Sequence, residues 1–174
     1  MTHCEVILAG TGGQGLILAA ILLAEAAILD GRNVVQTQSY GIASRGGLSL
    51  AEVIIDDAEI IFQQVSTPDC VLALSEEAAA KYEGWTAKGV PLLYDSALVA
   101  ARSGANCHGH GFTRAAADMG NADSANIVAL GALAAGTGAA GVDSLERAIA
   151  ARFRGAAREM NLRLLAIGAG LGSR

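Results

Sequence analysis

Two glycine-rich runs carry the residue types in this chain that could bind an anion or a partner. The first, Gly10–Gly15, lies between a short apolar run and a long apolar run of good helix formers. Glycine permits positive φ and close backbone approach, and a helix N-terminus presents free N–H groups to an anion. The second, Ser39–Gly47, adds an aromatic hydroxyl and a guanidinium to a glycine-rich backbone. The candidate site residues in the two runs are Gly12, Gly13, Gln14, Gly15, Tyr40, Gly41, Ser44, Arg45, Gly46 and Gly47.

The first run has the spacing G-x-G-x-x-G, with a predicted strand before it and a predicted helix after it. This context is typical of dinucleotide binding, but such a site also needs an acidic residue at the end of the second strand to hold the ribose. Residues 34–39 contain no Asp or Glu. Three interpretations stay open: a stand-alone nucleotide-binding protein using Gly10–Gly15, a tight turn without a ligand, and a loop that recognises an anion or a partner.

Arg45 is the strongest candidate in the second run. Its guanidinium, flanked by small residues, could hold a carboxylate or phosphate through two parallel hydrogen bonds. Alternatively, it could hold the loop to backbone carbonyls or pair with an acid of a neighbouring subunit. Tyr40 could donate a hydrogen bond or simply pack, Gly46 and Gly47 predict a turn, and Gln14 could cap the helix or reach into a shared cleft.

The cysteines and histidines do not form a complete metal-binding pattern. His108 and His110 would share one strand face beside Cys107, but a zinc site needs three or four ligands. We therefore predict no metal site and interpret these residues as part of an edge strand. The chain has three widely separated cysteines and no Cys-x-x-Cys run, which argues against an iron–sulfur cluster and fits reduced thiols.

Hydrophobic periodicity predicts the elements that position the two runs. A strand at Cys4–Ala9, a helix at Gln14–Asp30 and a strand at Asn33–Gln38 form a Rossmann-like βαβ unit. The helix is apolar on every face, so it needs the sheet on one side and a further layer or subunit on the other. From about residue 113 the chain is predicted to be helical.

Between these parts the pattern predicts further strands and helix caps. A hairpin would make the sheet mixed, and capping residues would start three helices. We expect an α/β protein with a three-layer α/β/α sandwich, a mostly parallel mixed sheet, and a single domain over residues 1–174. The predicted hairpin joins Leu48–Ile55 to Glu59–Phe62, the predicted strands are Cys70–Leu74, Val90–Tyr94 and Asn106–Phe112, and the predicted caps are Ser75, Asp95–Ser96 and Thr113.

Composition narrows the classes of function that this chain could have. The 174 residues carry a formal net charge of −5, which disfavours nucleic-acid binding. The longest apolar stretch is too short to span a bilayer, and no cleavable signal pattern opens the sequence, so we expect a cytoplasmic protein without a membrane partner. Aromatic residues make up only 4% of the chain, so we expect association to supply part of its stability.

The two runs together resemble the gamma subunit of the 2-oxoacid:ferredoxin oxidoreductases. Gly13–Gly15 and Ser39–Gly47 resemble that family's two signatures, and the resemblance extends over nearly the whole chain. The Tyr40–Gly41 pair is most similar to the 2-oxoglutarate enzymes. Further matching segments are Ala51–Ile55, Pro68–Asp69, Leu74–Ala78, Tyr94–Ser96, Asn126–Gly131 and Asn161.

This resemblance implies a thiamine-dependent, CoA-dependent oxidative decarboxylation of a 2-oxoacid to an acyl-CoA, with ferredoxin as electron acceptor. It implies that alpha and beta subunits hold thiamine diphosphate and Mg, that the beta subunit or a small delta subunit holds the iron–sulfur clusters, and that CoA is a co-substrate. The chain itself would bind none of these cofactors alone, contribute no catalytic residue, and be inactive alone. Its two glycine-rich runs would lie beside the active site.

Overall fold

A computed structural model describes residues 3–40 and 47–173 of the chain, with the backbone alone at Tyr40. Short apolar segments between glycine- and aspartate-containing turns form the strands, and alanine- and leucine-rich segments form the helices. The strands are β1 His3–Thr11, β2 Asn33–Tyr40, β3 Leu48–Asp56, β4 Cys70–Ala73, β5 Leu92–Asp95 and β6 Cys107–His110. The helices are α1 Leu16–Leu29, α2 Glu76–Tyr82, α3 Phe112–Asp118, α4 Ala125–Thr137, α5 Val142–Arg152 and α6 Gly155–Gly172, with 3₁₀ turns at Glu83–Lys88 and Ala122–Ser124.

The strands form one mixed sheet in the order β2-β3-β1-β4-β5-β6. β1, β4, β5 and β6 are parallel, and β3 pairs antiparallel with both β1 and β2. β2 therefore runs parallel to β1 but is separated from it by β3. The predicted β1-α1-β2 unit is present, but it is split by an inserted strand.

Alternate residues of the buried strands face two hydrophobic clusters, as the period of two in a strand requires. Val6 and Leu8 face the side that carries α1 and the C-terminal helices. Ile7 and Ala9 face the side that carries α2. The mixed α/β sheet with helices on both sides confirms the predicted fold class.

The long helix α1 is covered within the chain itself. It packs on β3 and β2 and contacts α5 and α4, so its two apolar sides are both used. Its C-terminal end is the exception, because Ile28 and Leu29 are exposed. The predicted C-terminal cap is confirmed, since Gly31 has φ 81° and donates to the backbone oxygen of Ile28 at 2.9 Å.

Helices α4 and α6 approach each other at backbone contact distance through glycines. A Cβ at Gly131 would overlap the backbone oxygen of Leu165, and one at Gly168 would overlap that of Val128. Because only hydrogen fits at these positions, the two helices cannot accept a larger residue there without moving apart. Helix α4 is thereby fixed at the centre of the C-terminal layer, with the whole stretch from 126 to 134 buried.

Three local predictions are wrong. Residues 57–69 form an irregular segment, so the hairpin predicted from Leu48–Ile55 and Glu59–Phe62 does not exist, and β3 instead forms a hairpin with β2. The segment after Asp95 is a turn and not a short helix. Thr113 lies inside α3, whose cap position is Gly111.

The boundaries of the remaining predicted strands hold within two residues. β6 lies at the sheet edge as predicted. Ser75 caps α2, with its hydroxyl oxygen accepting from the backbone nitrogen of Ala78 at 3.2 Å.

Candidate functional site

The first glycine-rich run forms the turn from β1 into α1. Gly13 has φ 95° and Gly15 has φ 72°, conformations that favour glycine because a Cβ would clash with the backbone. Gly15 occupies the N-cap position of α1, and its backbone oxygen accepts from Ala19 at 3.0 Å. Gly12 and Gly13 are exposed, whereas Gln14 and Gly15 are half-buried. The loop therefore exposes the backbone of Gly12 and Gly13 to solvent, whereas the side chain of Gln14 is partly buried.

Gln14 fastens this loop to the carboxyl end of the neighbouring strand. Its Oε1 accepts from the backbone nitrogen of Thr11 at 2.7 Å, and its Nε2 donates to the backbone oxygen of Leu74 at 2.7 Å. A Cβ at Gly10 would collide with Oε1, so glycine at that position lets the amide close over β1. The side chain that we predicted to cap the helix or reach into a cleft is thus hydrogen-bonded to the backbone of Thr11 and Leu74.

Asn126 fastens the other side of the loop. This buried residue in the first turn of α4 donates from Nδ2 to the backbone oxygen of Gly15 at 2.9 Å. A Cβ at Gly15 would overlap that amide nitrogen, so glycine is required here for space as well as for φ. The turn is therefore clamped between Leu74 and Asn126.

Within the described residues, a hydrogen bond joins the end of the second run to the first run. The backbone nitrogen of Gly12 donates to the backbone oxygen of Gly47 at 3.3 Å. Tyr40 ends β2 opposite Ser49 of β3. The described ends of the second run thus lie at the same end of the sheet as the glycine turn. Gly41, Ser44, Arg45 and Gly46 lie outside the described residues, as does the side chain of Tyr40.

A small depression of about 220 Å³ lies beside the glycine turn, at the carboxyl ends of β4 and β5. Ligands of open α/β sheets bind at this edge. Gln14, Leu98 and Asp123 contribute to its wall. Asp95 is fully buried there, and its carboxylate accepts from the backbone nitrogen of Thr113 at 2.9 Å.

Asp95 is a structural residue that sequence analysis assigned to the wrong helix. Its Oδ2 also accepts from the hydroxyl of Thr113 at 2.6 Å, and its Oδ1 accepts from the backbone nitrogen of Ala97 at 3.0 Å. It therefore caps the first turn of α3 from the end of β5. Because its oxygens are occupied by these donors and shielded from solvent, Asp95 is poorly placed to hold a ribose or a cation.

The strand order is incompatible with the ribose-binding part of a dinucleotide site. In a Rossmann fold the acid that binds the ribose ends the strand next to β1. Here the neighbour of β1 on that side is the antiparallel β3, and β2 is displaced by two strand spacings, roughly 10 Å. The glycine turn therefore lacks a neighbouring strand end that could supply the ribose-binding acid of a dinucleotide site.

The thiols and imidazoles do not fit a cluster or a metal. Burial raises the pKa of Cys4 to about 11 and also raises the pKa of Cys70, which disfavours the thiolate that a metal requires. Burial and nearby His108 lower the pKa of His110. Among residues 3–40 and 47–173, no three His, Cys, Asp or Glu side chains lie close enough together to bind one metal ion.

Comparison with known proteins supplies the family. The model of the pyruvate ferredoxin/flavodoxin oxidoreductase family matches residues 5–171. The chain belongs to this family. The chain is 42% identical over 171 residues to the 2-oxoglutarate synthase subunit KorC of Archaeoglobus fulgidus, an alignment that covers 98% of the chain and 88% of the relative. The family resemblance drawn from the two glycine-rich runs is confirmed.

A solved structure and a longer relative extend the comparison. The gamma subunit of a keto/oxoacid ferredoxin oxidoreductase from Geobacter sulfurreducens superposes with a TM-score of 0.86 at 39% identity, covering 99% of this chain and 97% of that one. The ketoisovalerate oxidoreductase subunit VorA of Methanothermobacter thermautotrophicus is 36% identical over 170 residues, which is 95% of this chain but only 35% of the relative. The family domain is therefore a separate chain in some members and part of a longer chain in others.

Helix length and hydropathy in the described part of the chain fall short of what a bilayer-spanning segment needs.

The residues that sequence analysis missed are those whose partners are distant in sequence. Asn126 entered only as part of a family motif, and its partner Gly15 lies 111 residues away.

Proposed function

We propose that this chain is the gamma subunit of a multi-subunit 2-oxoglutarate:ferredoxin oxidoreductase. The observation that carries the proposal is its 42% identity to a 2-oxoglutarate synthase subunit over 98% of the chain. The reaction converts a 2-oxoacid and CoA to an acyl-CoA, carbon dioxide, a proton and two electrons, which pass to ferredoxin. The protein acts in the cytoplasm as one gamma-type domain.

The partners are alpha and beta subunits, with a delta subunit in some complexes. Thiamine diphosphate, Mg and the iron–sulfur clusters belong to these partners. Burial raises the pKa of the Cys4 and Cys70 thiols, which disfavours the thiolate that a cluster requires. The chain is inactive alone. Its contribution is the glycine-rich surface at which Gly12 and Gly13 present backbone, together with the chemistry of Arg45 in the second run.

This surface would act by positioning. The bare backbone of Gly12 and Gly13 allows close approach of a neighbouring subunit or of CoA, and the clamp from Gln14 and Asn126 keeps the backbone fixed. Arg45 would bind the carboxylate of the 2-oxoacid or a phosphate of CoA.

Anaerobic affinity purification of the tagged chain from its native cell tests the proposal. Thiamine-binding partners should co-purify in fixed ratio, and the eluate should reduce a viologen dye only when CoA and 2-oxoglutarate are both present. Pyruvate and 2-oxoisovalerate serve as competing substrates under the same conditions. Faster reduction with either would reject the substrate, and recovery of the chain alone and inactive would reject the role.

A further inference from the structure

An apolar projection lies in the segment that joins β3 to β4. Ile61 is 90% exposed and the adjacent Phe62 is 65% exposed, the two largest exposures among the large hydrophobic residues of the described chain. Burial of two such side chains would be favourable, because it removes apolar surface from water. Neighbouring exposed apolar residues of this kind mark interaction sites more often than isolated ones do.

The segment that carries them is held in place at both ends. On one side Asn33 Nδ2 donates to the backbone oxygen of Ala58 at 3.0 Å. On the other, the backbone nitrogens of Ser66 and Thr67 both donate to Glu5 Oε2 at 2.8 Å, and this carboxylate is itself buried. A projection that is already ordered loses little conformational entropy on binding, which favours a role as an anchor.

The surface beside the projection is only partly covered. Helix α2 packs on β1, β4 and β5, while Thr37, Leu50 and Glu52 on the same side of the sheet remain partly exposed. They line a depression of about 520 Å³ whose other wall is residues 63–65, directly after Phe62. An anchor and an adjacent hollow are the elements of a docking surface.

The charge that this surface presents is acidic. Glu52 lines the depression, and Glu59, two residues before Ile61, is exposed. Asp56 and Asp57 pair with His3 and Arg32. Two copies of the chain meeting here would bring like charges together, whereas a basic partner would be attracted.

We infer that Ile61 and Phe62 insert into an apolar pocket with a basic rim on one of the larger subunits of the oxidoreductase complex. The inference rests on the proposed function. It is supported by the longer ketoisovalerate relative, in which the family domain occupies about a third of the chain and so has further protein to pack against.

Co-purification of the tagged chain with its co-expressed partner subunits tests the inference. The double variant Ile61→Ser/Phe62→Ser should fold normally, because both side chains are exposed, and should retain less than a tenth of the partner bound by the wild type. The matched control is Ile28→Ser/Leu29→Ser, which removes the exposed apolar pair at the end of α1 and should retain the partner fully. A second variant, Glu59→Lys, should also weaken capture, and the wild-type complex should associate more slowly as salt is raised.

The outcomes separate the two proposals. If the wild-type chain captures no partner, the proposed function fails. If the wild type captures its partner and the Ile61/Phe62 variant does so equally, the assignment of this surface is overturned. Equal loss in the control pair also overturns it, because the effect would not belong to the projection. A wild-type homodimer in sedimentation that the Ile61/Phe62 variant abolishes, with partner capture intact, overturns the assignment to a larger subunit.

Discussion

The side-chain amide of Asn126 donates a hydrogen bond at 2.9 Å to the backbone oxygen of Gly15, which joins the first turn of α4 to the start of α1. The same glycine is where a Cβ would strike that amide. The conformation of the glycine turn is therefore fixed by a contact between α1 and α4 as well as by the sequence of the turn itself.

Replacing Asn126 with Asp should destabilise the protein, because a carboxylate oxygen would face the carbonyl of Gly15 where a donor now lies. We expect a loss of about 1–3 kcal/mol in the free energy of unfolding, measured by urea denaturation. Asp123→Asn, an exposed change three residues away, is the control and should stay within about 0.5 kcal/mol of the wild type. Equal stability of both variants would show that the amide contributes nothing to the clamp.

Gln14→Glu tests the other side of the clamp. The variant keeps an acceptor for the backbone nitrogen of Thr11 but loses the donor to Leu74 and places a carboxylate beside its carbonyl. We expect about 1–3 kcal/mol lower stability, together with reduced turnover in the assembled complex. The exposed Gln38→Glu change makes the same chemical substitution without these partners. A Gln14→Glu variant as stable as Gln38→Glu would contradict the clamp.

The close approach of α4 and α6 predicts opposite effects of the same substitution at two glycines of one helix. Gly168→Ala would overlap the backbone oxygen of Val128, so we expect a loss of about 1–3 kcal/mol from overpacking. Gly170→Ala meets nothing within 4 Å and should be neutral or raise stability by about 0.4–1 kcal/mol. Thermal and urea unfolding of the two variants gives the comparison, and a common sign for both would refute the packing.

The pKa values of His3 and His110, at opposite ends of the sheet, should be shifted in opposite directions. Hydrogen bonding to Asp56 raises the pKa of His3 above 6.5, and burial lowers the pKa of His110 below it. The contribution of His3 to stability is thus complete below pH 6.5 and lost as pH rises through its folded pKa. That of His110 is complete above pH 6.5 and lost as pH falls through its folded pKa.

NMR titration of the imidazole protons measures both shifts at once. Asp56→Asn should return the pKa of His3 toward 6.5 and leave that of His110 unchanged, because Asp56 contacts His3 and not His110. Titration of His3 below His110 would contradict both assignments.

Arg45 remains a prediction from the sequence. In the assembled complex, Arg45→Ala should lower turnover or raise the Michaelis constant for the 2-oxoacid or CoA by about tenfold or more, since one charge-assisted hydrogen bond contributes about 1.5–3 kcal/mol. Arg158→Ala, at an exposed position of α6, is the control. Full activity of Arg45→Ala with intact assembly would remove this residue from the active site.

The sequence predicted most of the elements because their signals are local. The apolar runs of β1 and β4, the Gly31 cap of α1 and the Ser75 cap of α2 all depend on neighbouring residues. The pairing of β3 with β2 could not be foreseen, since Asp56–Asp57 resembles a hairpin turn and led to a predicted pairing of β3 with Glu59–Phe62 instead. Asp95 and Asn126 bind partners 18 and 111 residues away, and no local pattern encodes such pairs.

The inserted strand β3 has a consequence for the history and redesign of this fold. A nucleotide-binding protein could lose its cofactor through one substitution at the ribose acid and regain it by reversal. Here an acid added at the end of β2 would lie a full strand too far from the glycine turn, so no single substitution restores the site. Conversion in either direction requires a change in strand order, which separates this architecture from the dehydrogenases by topology despite the shared glycine spacing.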